Sequence, residues 1–94
     1  MEIQLTWDQD KRQKNYSKHG LDFAHAGDVL QSNYCLNLLV QKKGEERIVS
    51  FAYVMNKLCV LTLVYTHRND QIRIISFRKA SQKEATFYFE WLAS

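Results

Sequence analysis

The run LCVLTLVYTHRNDQIRIISFRKA, residues 58–80, decides the fold. Its first part, 58–65, is an almost unbroken series of apolar, β-branched and aromatic side chains, the composition of a strand covered on both faces and set centrally in a sheet. His67-Arg68-Asn69-Asp70 is polar and turn-forming, and strand composition resumes over 71–77, so the two segments predict an antiparallel hairpin. Arg73, Arg78 and Lys79 load the second strand and its exit with positive charge, for which packing alone has little use.

Upstream of the hairpin, 34–40 and 47–54 read as two more strands joined by Gln41-Lys42-Lys43-Gly44, with Met55-Asn56-Lys57 as the turn into residue 58. In the second, Arg47, Val49, Phe51 and Tyr53 point one way and Ile48, Ser50, Ala52 and Val54 the other. The first strand is predicted over 3–7, where Ile3, Leu5 and Trp7 alternate with polar residues at a sheet edge. Asp8 suits the N-cap of a helix over 9–19, and Gly20 a left-handed C-cap. Asp22 caps a short second helix that turns Phe23, Ala26, Val29 and Leu30 inward, with His25 on its polar side. Ser81 and Glu84 form a capping box that opens a last helix to about residue 92. Its Ala85, Tyr88, Phe89 and Leu92 make one apolar stripe, and Phe87 with Trp91 makes an aromatic pair on nearly the opposite side. The expected fold is therefore α+β: one small, mostly antiparallel sheet with two N-terminal helices and one C-terminal helix, in the order β-α-α-β-β-β-β-α.

Ninety-four residues allow one domain, 1–94, and the hydrophobic fraction of 46% is that of an ordinary globular chain. No apolar run approaches a membrane span, and the start MEIQLTWDQD lacks the basic-then-apolar order of a signal peptide, so a cytoplasmic location is expected. Cys35 and Cys59 sit in separate apolar runs, as buried free thiols rather than a disulfide or a metal pair. A net charge of +3 is a weak pointer towards an anionic partner.

His19, His25 and His67 are isolated, no Cys-x-x-Cys occurs, and the three glycines form no phosphate-cradling loop, so no metal site and no cofactor are expected. What remains is cations spread over several elements, Lys11, Lys18, Arg47, Arg68, Arg73 and Arg78, beside the acid pair Glu45-Glu46. That set suits phosphodiester chemistry without a metal, in which Arg or Lys stabilises phosphate charge and a Glu, His or Lys moves protons. Along the first helix, Lys11, Asn15, Lys18 and His19 recur at helical spacing. They read as a solvated face with basic residues favouring the helix C-terminus, or as a ridge for a phosphate backbone; spacing alone favours the first.

The chain resembles the BrnT toxin family of type II toxin–antitoxin modules, whose fold is similar to that of RelE ribonuclease toxins. The resemblance rests on Trp7-Asp8, Lys11, Asn15 and Lys18-His19-Gly20 followed by Phe23, on Gly44-Glu45-Glu46-Arg47, on Val64-Tyr65-Thr66, and on Arg73-Ile74-Ile75-Ser76-Phe77-Arg78. Ile48 stands where an aromatic residue is common in that family, and Phe77 where a small one is. The resemblance implies a metal-independent endoribonuclease that inhibits translation and growth, in which the ribose 2′-hydroxyl attacks the adjacent phosphate. It implies Glu46 as general base, Arg47 and Arg78 as phosphate clamps, and Lys18 with His19 as charge donor and acid. Lys11, Arg68 and Arg73 would bind RNA, and Phe87 with Trp91 would anchor a partner. The implied partners are RNA and a BrnA-like antitoxin with a DNA-binding domain, with operator DNA reached only through it, as a homodimer or a toxin–antitoxin heterotetramer away from any membrane. The alternative is a non-catalytic nucleic-acid-binding or protein-interaction module.

Strict alternation sets Glu46 and Arg47 on opposite faces, and likewise Arg73 and Arg78, unless a strand ends or bulges between them. Arg73 also has a purely structural reading, pairing with Glu46 or Asp70 at the surface, and His19 one as a cap on a helix-end carbonyl.

Overall fold

The structure, a computed structural model, describes residues 4–94. Ile3, assigned above to the first strand, and the start of the chain lie outside the described residues. Five strands, β1 (Gln4–Thr6), β2 (Leu36–Lys42), β3 (Glu45–Val54), β4 (Cys59–Arg68) and β5 (Gln71–Lys79), form one sheet in the order β1-β5-β4-β3-β2. The helices are α1 (Gln9–His19), α2 (Gly27–Leu30) and α3 (Gln82–Ala93). The mostly antiparallel α+β architecture is the one expected, with β1 alone parallel, to β5.

The apolar strand takes the centre because only there are both of its faces covered. Leu61, Leu63 and Tyr65 point into a core closed by Leu21, Phe23, Ala26 and Val29, while Val60 points to the other face, where Phe51 and Tyr88 make a second core under α3. Tyr88 is the one deeply buried residue of α3, and its hydroxyl donates to the Tyr34 carbonyl at 2.6 Å. Phe89 and Leu92 remain 47% and 40% exposed, so the stripe expected to cover the sheet shrinks to Ala85 and Tyr88, with Phe89 only leaning on Tyr53 and Tyr88.

Local chemistry sets the boundaries. Asp8 Oδ1 accepts from the amides of Asp10 and Lys11, and Gly20 ends α1 at φ 71°. Asp22 caps a 3-10 turn over Phe23–His25 instead of the helix itself, and α2 is a single turn that follows. Lys43 and Gly44, both at positive φ, make the tight β2–β3 turn and let β2 run on to Lys42. Leu58, expected in β4, takes φ 55° in the preceding turn and is 76% exposed; β4 instead runs on through His67 and Arg68, leaving Asn69 and Asp70 to turn the hairpin. Cys35 and Cys59 are free and half-buried against the first core. No described helix is long and apolar enough to cross a membrane.

Candidate active site

The α3-side face of the sheet is covered over only part of its length. Opposite residues of paired strands project to the same side, so the register defines rows across this face. Leu36, Phe51, Thr62 and Arg78 make one row, beneath α3, and Leu38, Val49, Val64 and Ser76 the next. Extending the β3–β4 register by one residue adds a third row, Val40, Arg47, Thr66 and Arg73, and by two more a fourth containing Glu45 and Arg68.

A bulge makes this convergence possible. Val64 opposes Ser76 but Tyr65 opposes Ile74, so Ile75 has no partner in β4. The extra residue cancels the odd spacing of Arg73 and Arg78, and both emerge on the α3 side while Ile72, Ile74 and Phe77 all stay in the opposite core. β3 has no such irregularity against β4, and there the alternation stands: Arg47 faces the cations, and Glu46 projects, exposed, from the other side with Ile48. Glu46 is not brought together with Arg47, Arg73 and Arg78.

Arg78 is held at the junction of β5 and α3. Its Nη1 and Nη2 donate to Glu84 Oε1 and Oε2 at 2.7 and 2.9 Å, and the buried Thr62 hydroxyl donates to Oε1 at 3.4 Å. Glu84 also accepts from the Ser81 amide, completing the capping box. The Arg78 guanidinium, with the Ser81 bonds added, holds the Glu84 carboxyl down at about 2 despite burial, and the same pairing raises Arg78. Sequence reading found Glu84 only as a cap; its second bond depends on the bend at residues 80–81, which no spacing rule reveals.

On β3, Glu45 lies between two arginines, its Oε1 3.4 Å from Arg47 Nε and its Oε2 accepting from Arg68 Nη2 at 3.2 Å. The Arg47 contact lacks hydrogen-bond geometry, and Arg47 Nε and Thr66 Oγ1 are the buried polar side-chain atoms left without a partner among the described residues. Arg73 is exposed and makes no ion pair with a described residue, so the surface pairing with Glu46 or Asp70 is not formed.

α1 lies along the β5 edge that β1 leaves open after Arg73. Asn15 reads that edge as a strand would, its Nδ2 donating to the Phe77 carbonyl at 2.7 Å and its Oδ1 accepting the Phe77 amide at 3.2 Å; Nδ2 also reaches the Leu21 carbonyl. Asn15 is thus a structural clasp on the β5 edge. The helix is further fixed by Arg12, which stacks 5.3 Å over Trp7 and forks onto Asp22 at 2.8 and 3.0 Å, driving the Asp22 carboxyl down to about 2. Clasped in this way, the C-terminal end of α1 presents His19 near Arg78. Partial burial, and then the charges of Lys18 and Arg78, lower the His19 pKa from its ordinary value. Lys18 and Lys11 are exposed on α1.

Phe87 and Trp91 do not form an isolated pair. Trp91 leans on Tyr88 with ring centroids 5.8 Å apart, whereas Phe87, 50% exposed, borders a groove of about 830 Å³ with Leu38, Phe51, Glu84 and Glu90. No three His, Cys, Asp or Glu side chains cluster as metal donors among the described residues.

No curated protein matches the chain. A family model does, over residues 7–84, and it describes the ribonuclease toxin, BrnT, of type II toxin–antitoxin systems.

Proposed function

The chain belongs to the BrnT family of ribonuclease toxins of type II toxin–antitoxin systems, and from that premise we propose a metal-independent endoribonuclease whose site is the α3-side face at the end of α1. The observation that carries this reading is the convergence of Arg47, Arg73 and Arg78 on one face through the Ile75 bulge, with α1, which ends at His19, packed along the β5 edge. Guanidiniums fixed before substrate arrives stabilise the charge that develops on a phosphate under attack.

In this reading Arg78 and Arg47 clamp phosphate, Arg73, Arg68 and Lys11 hold the strand, and Lys18 adds charge. The ribose 2′-hydroxyl gives its proton to neutral His19 as its oxygen bonds to phosphorus. The bond to the 5′-oxygen breaks, and that oxygen takes a proton from solvent, leaving a 2′,3′-cyclic phosphate and a 5′-hydroxyl. The lowered pKa keeps His19 in the neutral form that accepts a proton at pH 7. Because Glu46 projects from the opposite face, this reading gives the base role to His19. A BrnA-like antitoxin with a DNA-binding domain would neutralise the enzyme and carry the complex to operator DNA.

The test is cleavage of a short, unstructured, labelled RNA in excess chelator, with end-group analysis. Cyclic-phosphate ends formed at an undiminished rate are expected. A strict need for a divalent ion in the chemical step rejects the mechanism, and binding without cleavage favours the non-catalytic module.

A further inference from the structure

The third row of the cationic face carries an unmet demand for acceptors. Thr66 is 3% exposed, and its Oγ1 has no partner; beside it on β3, Arg47 Nε is also unpartnered. On its β5 side stands Arg73, exposed and unpaired among the described residues. An Arg Nε–H can only donate, and a hydroxyl set between two guanidiniums is oriented to donate as well. Glu45, the carboxylate that Arg47 reaches, is shared with Arg68, and Arg73 has no counter-charge among the described residues. A strand needs no hydroxyl here: valine has the same shape and no buried polar atom to satisfy. Adjacent donors without acceptors, in a positive surround, fit a tetrahedral anion with several acceptor oxygens.

Resting on the reading of the chain as a ribonuclease, we infer that Arg47, Thr66 and Arg73 form a second phosphate subsite, which holds a phosphate of the RNA strand flanking the one attacked at Arg78. Thr62, opposite Arg78, and Thr66, opposite Arg73, are four residues apart on β4, roughly 13 Å along the strand. That separation is too great for one phosphate, so the two rows grip different phosphates of one strand. Arg47 therefore clamps the flanking phosphate rather than the scissile one. Thr66 is a specificity-determining residue: it makes the face favour substrates that extend past the cut on one side.

The probe is a short RNA cut at one place, with versions in which a single flanking linkage is an uncharged 2′-O-methyl methylphosphonate. For the unmodified protein, neutralising one flanking position should raise KM about tenfold, the loss of a charge-assisted contact, and leave kcat little changed. Thr66→Val and Arg73→Ala should raise KM on the all-phosphate RNA to a similar extent, with Thr66→Ser close to the original. In the two impaired variants, the neutral linkage at that position should add no further loss. Thr66→Val with an unchanged KM, or losses that add fully to that of the neutral linkage, overturns the subsite. An unmodified protein that cuts no RNA defeats the ribonuclease reading instead. The same variants and linkages, compared by affinity for the intact RNA, then still decide the subsite, because Arg73→Ala tests it without altering the buried strand.

Discussion

Arg78 and Glu84 meet in a two-point fork across the bend between β5 and α3, and the same carboxylate closes the capping box of the helix. One side chain thus ties helix initiation to the placement of the arginine assigned to the scissile phosphate. The fork also has a pH signature. Glu84 titrates at about 2 when folded against an ordinary 4.5, so its contribution is complete above 4.5 and is lost as pH falls towards 2. Glu84→Gln keeps a capping side chain but loses the charge, and should cost about 1–2 kcal/mol at neutral pH. Its Tm deficit, measured by thermal melts over falling pH, should close between those two values; a constant deficit would mean that the ionic fork contributes nothing.

Loss of either clamp should leave a folded protein with impaired cleavage. Arg78→Ala should lower kcat by roughly 100-fold or more, the usual cost of removing one preorganised charge stabiliser. Arg47→Ala should weaken activity chiefly through KM, and Arg47→Lys should recover only part of it, because an ammonium lacks the fork geometry. Steady-state kinetics with circular dichroism as a fold check separates these outcomes. Wild-type kinetics in Arg78→Ala would remove it from the site.

His19 sets an expected pH profile. A base must be unprotonated, and burial together with Lys18 and Arg78 lowers its pKa below 6.5. The rate should therefore rise with pH through a midpoint below that value and level off before neutrality. Removing the Lys18 charge, as in Lys18→Gln, should move the midpoint upward, because it removes one of the positive charges that disfavour the imidazolium. A His19→Gln variant that keeps the same acid limb would assign that limb to another group.

Asn15 offers a stability test at a residue with no proposed part in the chemistry. Its amide satisfies both main-chain groups of Phe77, and truncation would leave them unpaired at a partly covered edge. Asn15→Ala should cost on the order of 2–3 kcal/mol, read by denaturant titration, with a further loss of activity as the end of α1 drifts from Arg78. A variant of unchanged stability would show that the edge is closed by water instead.

The strand and helix order was legible because alternation, caps and turn residues act locally: Asp8, Gly20, Gly44 and Ser81 each do what their chemistry predicts. The site was harder to read because its geometry depends on register. A bulge has no mark in the string Arg-Ile-Ile-Ser-Phe-Arg, yet it alone turns Arg73 and Arg78 to one side. Glu45 and Glu46 are equivalent by composition, and only the phase of β3 decides that Glu45 joins the arginines. Asn15 looked like a member of a polar helix face because the strand edge it clasps lies 62 residues further on. The departures from the family pattern are also packing matters: Phe77 is buried beside that clasp, and Ile48 packs on the first core, on the face away from α3 and the cations.

Phe87 and Trp91 of α3 should behave differently, although both were expected to anchor a partner. Trp91 rests on Tyr88, the residue that fastens α3 to the sheet, so Trp91→Ser should lower stability as well as partner binding. Phe87 borders an open groove with Leu38 and Phe51, beside Glu84 and Glu90. Its replacement removes no deep core contact, so Phe87→Ser should melt within a few degrees of the unmodified protein. If the antitoxin seats an apolar side chain in that groove, as an aromatic hot spot would, Phe87→Ser should weaken the complex by about 2 kcal/mol, roughly 30-fold in Kd. Titration of purified antitoxin into each variant, with RNA cleavage by the free toxin as a control, reads both effects. Undiminished antitoxin affinity in Phe87→Ser, with cleavage intact, places the interface elsewhere on the molecule.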